Sequence, residues 1–227
     1  MSFPYYVSPE QLMQDKAEYA KKGIAKGRSI IAMEYDGGVL FVADNPSTAL
    51  FKISEIYDDI AFSGAGKYNE FENLRKAGIQ HADLKGFMYS RADVTARSLA
   101  NGYSQTLGTI FSQEIKPYEV EILLAQVGKE SGQNELYRIA FDGTIFHERM
   151  LVAIGGRSES LLSTLRADLG DEPPELKIAL SRCIRAFETV SEQSIPLDAV
   201  EIAVLDRARE GRKFRRISLS EATTILS

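Results

Sequence analysis

One glycine-rich run in this sequence of 227 residues has the residue types of a phosphate-binding loop. The run GAGK at 64–67 offers glycines, whose backbone can approach an anion closely, followed by a lysine ammonium. A Walker loop also needs a glycine five residues before the second glycine and a hydroxyl residue after the lysine. Ala61 and Tyr68 stand at those two positions. We therefore interpret the run as a tight turn from a strand into a helix.

A second run and the single cysteine have the residue types of a nucleophile. The run GRSES at 156–160 is similar to the nucleophile elbow of hydrolases, but it ends in serine where the elbow requires glycine. A helix N-cap at Ser158 or Ser160 explains it better. Cys183 falls on an apolar helical stripe, which is typical of a buried packing residue.

Metal and base chemistry have little support in the composition. The chain has two histidines, His81 and His147, and one cysteine, without the ligand spacing of a classical zinc site. One cysteine cannot form an intrachain disulfide, which fits a reducing compartment. We expect no metal and no cofactor.

Charge and hydropathy argue against two further classes. Lysine plus arginine number 27 against 32 for aspartate plus glutamate, a net charge of -5, whereas a nucleic-acid-binding protein usually carries excess positive charge. No apolar run approaches the roughly 18 residues of a membrane-spanning helix. The N-terminus also lacks the basic start and apolar stretch of a secretory signal. These features predict a cytoplasmic protein that binds neither nucleic acid nor a membrane.

Six cationic side chains nevertheless cluster near the C-terminus: Arg207, Arg209, Arg212, Lys213, Arg215 and Arg216. Two interpretations remain open. The cluster can be a solvated hairpin, or it can be a docking surface for an acidic neighbour.

The periodicity of apolar residues divides the chain into blocks of strands and helices. A first helix is predicted over 9–26, where Ser8 and Gln11 can form a capping box and Pro9 suits the first position. Strands are predicted over 29–35, 39–43, 51–57, 60–65, 118–127, 135–141, 144–154, 200–204 and 214–217. Further helices are predicted over 67–77 with Gly78 at the end, over 91–113, around 161–169 and 176–190, and after Ser218.

The order of these blocks favours one layered domain over residues 1–227. Strands and helices come in groups rather than in strict alternation, which is typical of stacked antiparallel sheets and unlike a Rossmann sheet. The continuously apolar strand 39–43 needs cover on both faces. We expect an α+β fold with two antiparallel sheets between helical layers, a four-layer αββα sandwich, plus an N-terminal helix.

A family resemblance is carried by nine short motifs: SFPY at 2–5, SPEQ at 8–11, KGIA at 22–25, GGVLFVA at 37–43, KISEIY at 52–57, GKYNEF at 66–71, QTLGTIF at 105–111, KPYEVE at 116–121 and DGTI at 142–145. Each motif is weak alone, but their order and spacing together are specific. Through them the chain resembles proteasome alpha subunits, most closely those of actinobacteria.

The resemblance implies the fold of the N-terminal-nucleophile hydrolase superfamily for the sandwich at 27–227. It also implies a heptameric ring of this chain, stacked on rings of proteasome beta subunits that carry the threonine endopeptidase activity. Alpha subunits gate entry to the particle and seat an activator ring, usually an ATPase. We therefore expect a non-catalytic subunit that supports protein degradation.

Catalysis by the chain itself is not expected, because a proteasome nucleophile is an N-terminal threonine whose free amine serves as the base. Gly27 and Arg28 lie about where that threonine would stand, and a helix and a tail precede them. Asp44 and Lys52 are similar to residues of the catalytic subunits. Without the threonine, Lys52 is free for another role.

That other role is docking, according to the resemblance. The family lysine lies in a pocket between neighbouring subunits and receives the C-terminal carboxylate of an activator. Lys52 precedes Gly66 by 14 residues, as in the family pocket. An ammonium pairs well with a carboxylate, and the backbone at Gly66 can approach closely because glycine has no Cβ. The alternative for Lys52 is a solvated strand lysine; Lys67 is a second docking candidate, with a surface lysine at a helix start as its equal rival.

Residues 1–8 form the predicted gate tail. Four of them are bulky: Phe3, Pro4, Tyr5 and Tyr6. Several copies converging at a ring axis can plug a pore with apolar bulk. Pro9 fixes the turn into the first helix, and Tyr19 matches a family tyrosine near that turn. Archaeal and eukaryotic relatives carry a Tyr-Asp-Arg triplet that this chain lacks, and the alternative is a terminus that is disordered without a gating role.

Two other functions remain open. A beta-type peptidase would need a propeptide that ends near Gly27 and a threonine or serine directly after it, whereas Ser29 follows Arg28. A stand-alone binding domain would use the basic hairpin at 207–216.

Overall fold

The computed structural model describes residues 8–227, which form two five-stranded sheets flanked by helices. The strands are β1 (Ile30–Tyr35), β2 (Gly38–Asp44), β3 (Ile53–Tyr57), β4 (Ile60–Gly66), β5 (Val120–Gln126), β6 (Glu135–Ile139), β7 (Ile145–Glu148), β8 (Leu151–Ile154), β9 (Val200–Asp206) and β10 (Phe214–Ile217). The α-helices are α1 (Pro9–Ala25), α2 (Tyr68–Met88), α3 (Ala96–Gln113), α4 (Ser158–Ala167), α5 (Leu176–Ser191) and α6 (Leu219–Leu226). Turns of 3₁₀ helix lie at Arg91–Asp93 and Leu197–Ala199.

Both sheets are antiparallel throughout. The first has the strand order β10-β9-β2-β1-β8, and the second has the order β3-β4-β5-β6-β7. In the centre of the first sheet, Phe41 on β2 lies opposite Ala32 on β1 and Ala203 on β9.

Alternate side chains of each buried strand enter two different apolar layers. On β1, Ile30 and Ala32 pack against the second sheet, while Ile31 and Met33 pack against the outer helices α4 and α5. Helices α2 and α3 cover the outer face of the second sheet in the same way. The predicted four-layer αββα sandwich and the cover on both faces of 39–43 are thereby confirmed. Among residues 8–227, every helix is too short or too polar to cross a bilayer.

Helix α1 begins where the sequence predicts it. Ser8 Oγ accepts a hydrogen bond of 3.2 Å from the Gln11 amide, and Pro9 occupies the first helical position. The side chain of Gln11 donates to Asp15 instead of returning to Ser8. The N-cap is therefore confirmed, whereas the reciprocal half of the capping box is not formed.

Helix α1 is anchored to the body of the domain at two points. Its buried face places Ala20 and Ile24 against Phe141. Lys16 Nζ donates to two carbonyl oxygens at the end of α3, of Phe111 at 3.1 Å and of Glu114 at 2.7 Å. These carbonyls have no partner within their own helix, and a cation at a helix C-terminus is electrostatically favourable.

The predicted end of a helix at Gly78 is wrong, because α2 continues to Met88. Glycine is present in mid-helix for a packing reason. A Cβ at position 78 would lie 1.8 Å from the hydroxyl oxygen of Tyr103, which donates to the carbonyl of Leu74 at 3.1 Å. The glycine admits the tyrosine of the neighbouring helix.

The predicted strand 144–154 is in fact two strands in different sheets. Strand β7 belongs to the second sheet, and β8 belongs to the first. The chain crosses between them at Met150, which has a positive φ of 64°. The Met150 amide donates to the buried carboxylate of Glu34 at 2.9 Å, which stabilises the crossing.

Two helix starts also differ from the prediction. Helix α4 has Arg157 as its cap residue, so neither Ser158 nor Ser160 is an N-cap. Helix α3 starts at Ala96, where Thr95 Oγ1 accepts from the Ser98 amide, and the residues from 91 onward first form a 3₁₀ turn.

Candidate functional site

The isolated nucleophile and base candidates lie apart from one another. Cys183 is fully buried in α5, as predicted, and burial raises the pKa of its thiol to about 12. A thiol in this environment stays protonated and is a poor nucleophile. His147 stacks on Tyr137 with ring centroids 5.0 Å apart, and His81 is exposed on α2. Within the described range 8–227, no group of three or more His, Cys, Asp or Glu residues is placed to hold a metal ion.

The basic cluster near the C-terminus is bonded to acceptors of its own chain. Three of its arginines form ion pairs: Arg212 with Glu55, Arg215 with Glu221 and Arg216 with Glu201. Arg207 donates to the carbonyls of Asp36 and Gly128. Because these guanidinium groups already have partners, the contacts favour a self-paired hairpin over a docking surface.

Lys52 lies in the loop of residues 45–52, directly before β3. Its Nζ donates to the carbonyl oxygen of Arg28 at 3.1 Å. The guanidinium of Arg28 forms an ion pair with Asp44 at 2.7 Å. The structure thus brings together Arg28, Asp44 and Lys52, the three charged residues that the sequence singled out.

The ammonium of Lys52 is half-buried and incompletely solvated. Burial lowers the pKa of Lys52, and the charge of Arg28 acts in the same direction, while Asp44 and Glu201 oppose the shift. A lysine has three donor hydrogens, and within residues 8–227 its Nζ makes one hydrogen bond, to Arg28. An incoming carboxylate would compensate the desolvated charge and use the remaining donors.

Gly66 ends β4 close to this charged group. Its φ of 105° and its contact with Glu119 both require glycine, since a Cβ would lie 2.0 Å from the Glu119 carbonyl oxygen. A Cβ on Gly27 would in turn lie 2.7 Å from the Gly66 amide nitrogen. Two chain segments therefore meet backbone to backbone beside Lys52, whose carbonyl accepts from Gly64 at 3.4 Å.

Lys67 follows Gly66 at the start of α2, and the run 64–67 is a strand-to-helix turn as predicted. The Lys67 amide donates to the carbonyl of Glu119 at 2.9 Å. Its ammonium lies 3.7 Å from the carboxylate of Glu70. Lys67 is thus oriented along its own helix towards an acidic partner, unlike Lys52.

The start of β1 is held by the segment 156–157. The Gly156 amide donates to the Gly27 carbonyl at 3.0 Å, and the Arg157 amide donates to Ser29 Oγ at 3.1 Å. A cleft of about 530 Å³ opens beside these residues and is also lined by Arg28. The backbone nitrogen of Arg28 is a peptide nitrogen preceded by α1, and an amide cannot act as the base that a free terminal amine provides.

The predicted gate residues fall into two groups. Phe3, Pro4, Tyr5 and Tyr6 lie outside the described residues. Pro9 and Tyr19 both lie on α1, and the Tyr19 hydroxyl donates to Glu119 at 3.3 Å. Burial alone would raise the pKa of Glu119, but hydrogen bonds from Lys116 and Tyr19 lower it, so the carboxylate stays ionised.

Sequence reasoning missed Glu201, a residue of β9. Its carboxylate accepts from the backbone amide of Lys52 at 2.8 Å and from that of Ile53 at 3.1 Å. In the sequence Glu201 is simply the polar member of an alternating strand, 149 residues from Lys52. Periodicity carries no signal for a contact of this range.

Comparison with known proteins gives a consistent result along the chain. A family model described as "Proteasome subunit" matches residues 24–205. A relative named "Proteasome subunit alpha" from Thermomonospora curvata is 50% identical over 228 residues, covering 100% of this chain and 99% of the relative. Relatives of the same name from Streptosporangium roseum and Xylanimonas cellulosilytica are 52% and 51% identical over 96% of this chain, covering 84% and 93% of their own lengths.

Proposed function

Since the chain belongs to the family of proteasome alpha subunits, we propose that it is a non-catalytic subunit of a heptameric outer ring in a cytoplasmic proteasome core particle. In this proposal the ring stacks on beta subunits that degrade the substrate proteins. The tail at residues 1–8 gates substrate entry. Lys52, with Gly66 and with Lys67 as a second candidate, docks the C-terminus of an ATPase or other activator ring.

One observation carries the docking proposal. The Lys52 ammonium is half-buried beside Arg28 and Asp44, and its pKa is lowered by burial. A cation in this state gains more from a carboxylate than a fully solvated lysine does, because less water must be removed when the pair forms. Gly66 itself packs against the backbone of Glu119 and of Gly27, so its part in the docking proposal is carried by the family resemblance.

The start of β1 supports the non-catalytic part of the proposal. By the resemblance, Gly27 and Arg28 lie about where the nucleophile of a catalytic subunit would stand; the Arg28 guanidinium is paired with Asp44, and its carbonyl accepts a hydrogen bond from Lys52 Nζ. A beta-type peptidase would need a new N-terminus directly before a hydroxyl residue. N-terminal sequencing of the mature particle distinguishes the two hypotheses. A beta-type peptidase would have its mature N-terminus near residue 28, whereas the proposed alpha subunit would start at residue 1 or 2.

The anchoring of α1 supports the gating part. Lys16 fixes the helix to the end of α3, and Pro9 stands at its first position, so the tail leaves the domain at a defined point. Deleting residues 2–8 should raise the basal turnover of small peptides by the assembled particle. An unchanged rate would mean that the tail is not a gate.

The decisive experiment on docking is Lys52→Ala in particles assembled with the beta partner. Stimulation of peptide cleavage by the activator should fall about tenfold or more, since a charge-assisted bond contributes about 1.5–3 kcal/mol. Basal cleavage should stay unchanged. Lys177→Ala, which removes an exposed lysine of α5, is the matched control. Stimulation that survives Lys52→Ala would place the docking site elsewhere.

Native mass spectrometry tests the assembly itself. The chain should form a ring or stacked rings when it is co-expressed with its beta partner. A monomer in every sample would contradict the proposal and favour a stand-alone binding domain. Loss of a ligand on Arg212→Glu and Arg215→Glu would then identify the basic hairpin as its binding surface.

A further inference from the structure

We infer that Glu201 is a positioning residue for docking, because its buried carboxylate holds the backbone of Lys52. The inference rests on the proposed docking role of Lys52. Glu201 belongs to β9 in the first sheet, whereas Lys52 leads into β3 in the second sheet. The carboxylate therefore connects the loop of residues 45–52, which carries Lys52, to the first sheet of the sandwich.

The loop needs such an anchor because it makes few backbone bonds of its own. It spans residues 45–52, between the end of β2 and the start of β3. The Asn45 amide donates to the carbonyl of Ala199 at 2.9 Å, and the Lys52 carbonyl accepts a long bond of 3.4 Å from Gly64. The Lys52 amide has a side chain as its acceptor, Glu201 Oε2 at 2.8 Å.

The Glu201 carboxylate is saturated by donors from this region. Its Oε2 accepts from the Lys52 amide and from Asn45 Nδ2, each at 2.8 Å. Its Oε1 accepts from the Ile53 amide at 3.1 Å and from the guanidinium of Arg216. The side chain is 8% exposed. A carboxylate has about four acceptor sites, so all of them face the chain and none is left for an incoming peptide.

Arg216, on the neighbouring strand β10, also fixes the residues around Lys52. Its guanidinium also donates to the Ile53 carbonyl at 2.6 Å and lies 4.0 Å from the ring centroid of Phe51. The residues on both sides of Lys52 are therefore fixed, and the lysine side chain leaves a rigid backbone towards Arg28. Rigid placement of a binding group lowers the ordering entropy that a ligand must overcome.

Glutamine at position 201 is the sharpest perturbation because it keeps the shape but not the acceptors. An amide offers one acceptor oxygen and an NH₂ group, which would face two donors of the loop. Glu201→Asp keeps the charge but is one methylene shorter, so it cannot reach both backbone amides. Glu55→Gln is the matched control, since Glu55 is paired with Arg212 and does not contact the Lys52 backbone.

The test measures binding to the assembled alpha–beta particle by fluorescence polarisation. The probe is a short fluorescein-labelled peptide that copies the C-terminus of the ATPase activator, with the C-terminal amide of the same peptide as reference. Glu201→Gln should weaken the Kd about tenfold, Glu201→Asp about threefold and Glu55→Gln less than about twofold. In a Lys52→Ala background, Glu201→Gln should cause no further loss, because it acts through the lysine.

The outcomes separate the inference from the proposed function. If Lys52→Ala weakens binding but Glu201→Gln behaves like Glu55→Gln, the inference about Glu201 is overturned, whereas the docking role of Lys52 is supported. Additive losses in the double variant would overturn it too, since Glu201 would then act independently. If neither Glu201 variant assembles, the carboxylate serves folding rather than positioning. If Lys52→Ala binds normally, the proposed docking site fails, and the inference fails with it.

Discussion

Replacing Gly78 by alanine tests the packing of the two helices over the second sheet. An added Cβ would lie 1.8 Å from the hydroxyl oxygen of Tyr103 and 2.8 Å from the ring carbon that carries it. The ring is 4% exposed and is held among the buried residues of α2 and α3. It can move only by giving up its hydrogen bond to Leu74.

The expected magnitude combines three effects. Overpacking a buried site costs about 1–3 kcal/mol. Loss of the tyrosine hydrogen bond costs about 1 kcal/mol more. Alanine regains about 1 kcal/mol over glycine within a helix. Gly78→Ala should therefore lower the free energy of unfolding by about 1–3 kcal/mol, or the Tm by about 2–12 °C for a domain of this size.

Gly102→Ala is the matched control, because Gly102 also lies within a helix and a Cβ there would meet no atom within 4 Å. Urea unfolding of the alpha chain at one fixed protein concentration should show stabilisation of about 1 kcal/mol for Gly102→Ala. The penalty of Gly78→Ala should shrink in a Tyr103→Phe background, which lacks the clashing oxygen. Stabilisation of similar size by both alanine variants would refute the proposed helix contact.

Three further predictions concern the anchor of α1, the docking lysine and the cysteine. Lys16→Met should lower the free energy of unfolding by about 1–3 kcal/mol, since two charge-assisted bonds at the end of α3 are lost; an unchanged urea midpoint would contradict this. Peptide docking should weaken as the pH rises towards about 10.4, the ordinary pKa of lysine, because binding needs the protonated Lys52 and burial lowers its pKa, so that deprotonation begins at a lower pH than in an ordinary lysine. Lys52→Arg should flatten that profile, and a flat profile in the unaltered particle would argue against the ammonium. Cys183, with its pKa of about 12, should react with a thiol reagent only after the chain unfolds in urea, so labelling of the native chain would contradict its burial.

The sequence alone determined the features that depend on neighbours along the chain. The Ser8–Pro9 start of α1 follows from local capping chemistry, and the apolar alternation of β1 and β2 follows from the two-residue period of a strand. The grouping of strands and helices indicated antiparallel layers, because the order of these elements can be read along the chain. Motif order identified the family, and with it the candidate residues Lys52 and Gly66, whose docking role stays a prediction.

Tertiary structure decided the features that depend on contacts between distant segments. Gly78 has the residue type of a helix end, and only the hydroxyl of Tyr103 explains why the helix continues through it. The segment 144–154 is apolar enough for one strand, but the two sheets each take half of it. Glu201 and Lys52 meet only because β9 and β3 come together in space. Local periodicity shows which face of a segment is buried. The packing of the whole sandwich determines which distant segment covers that face.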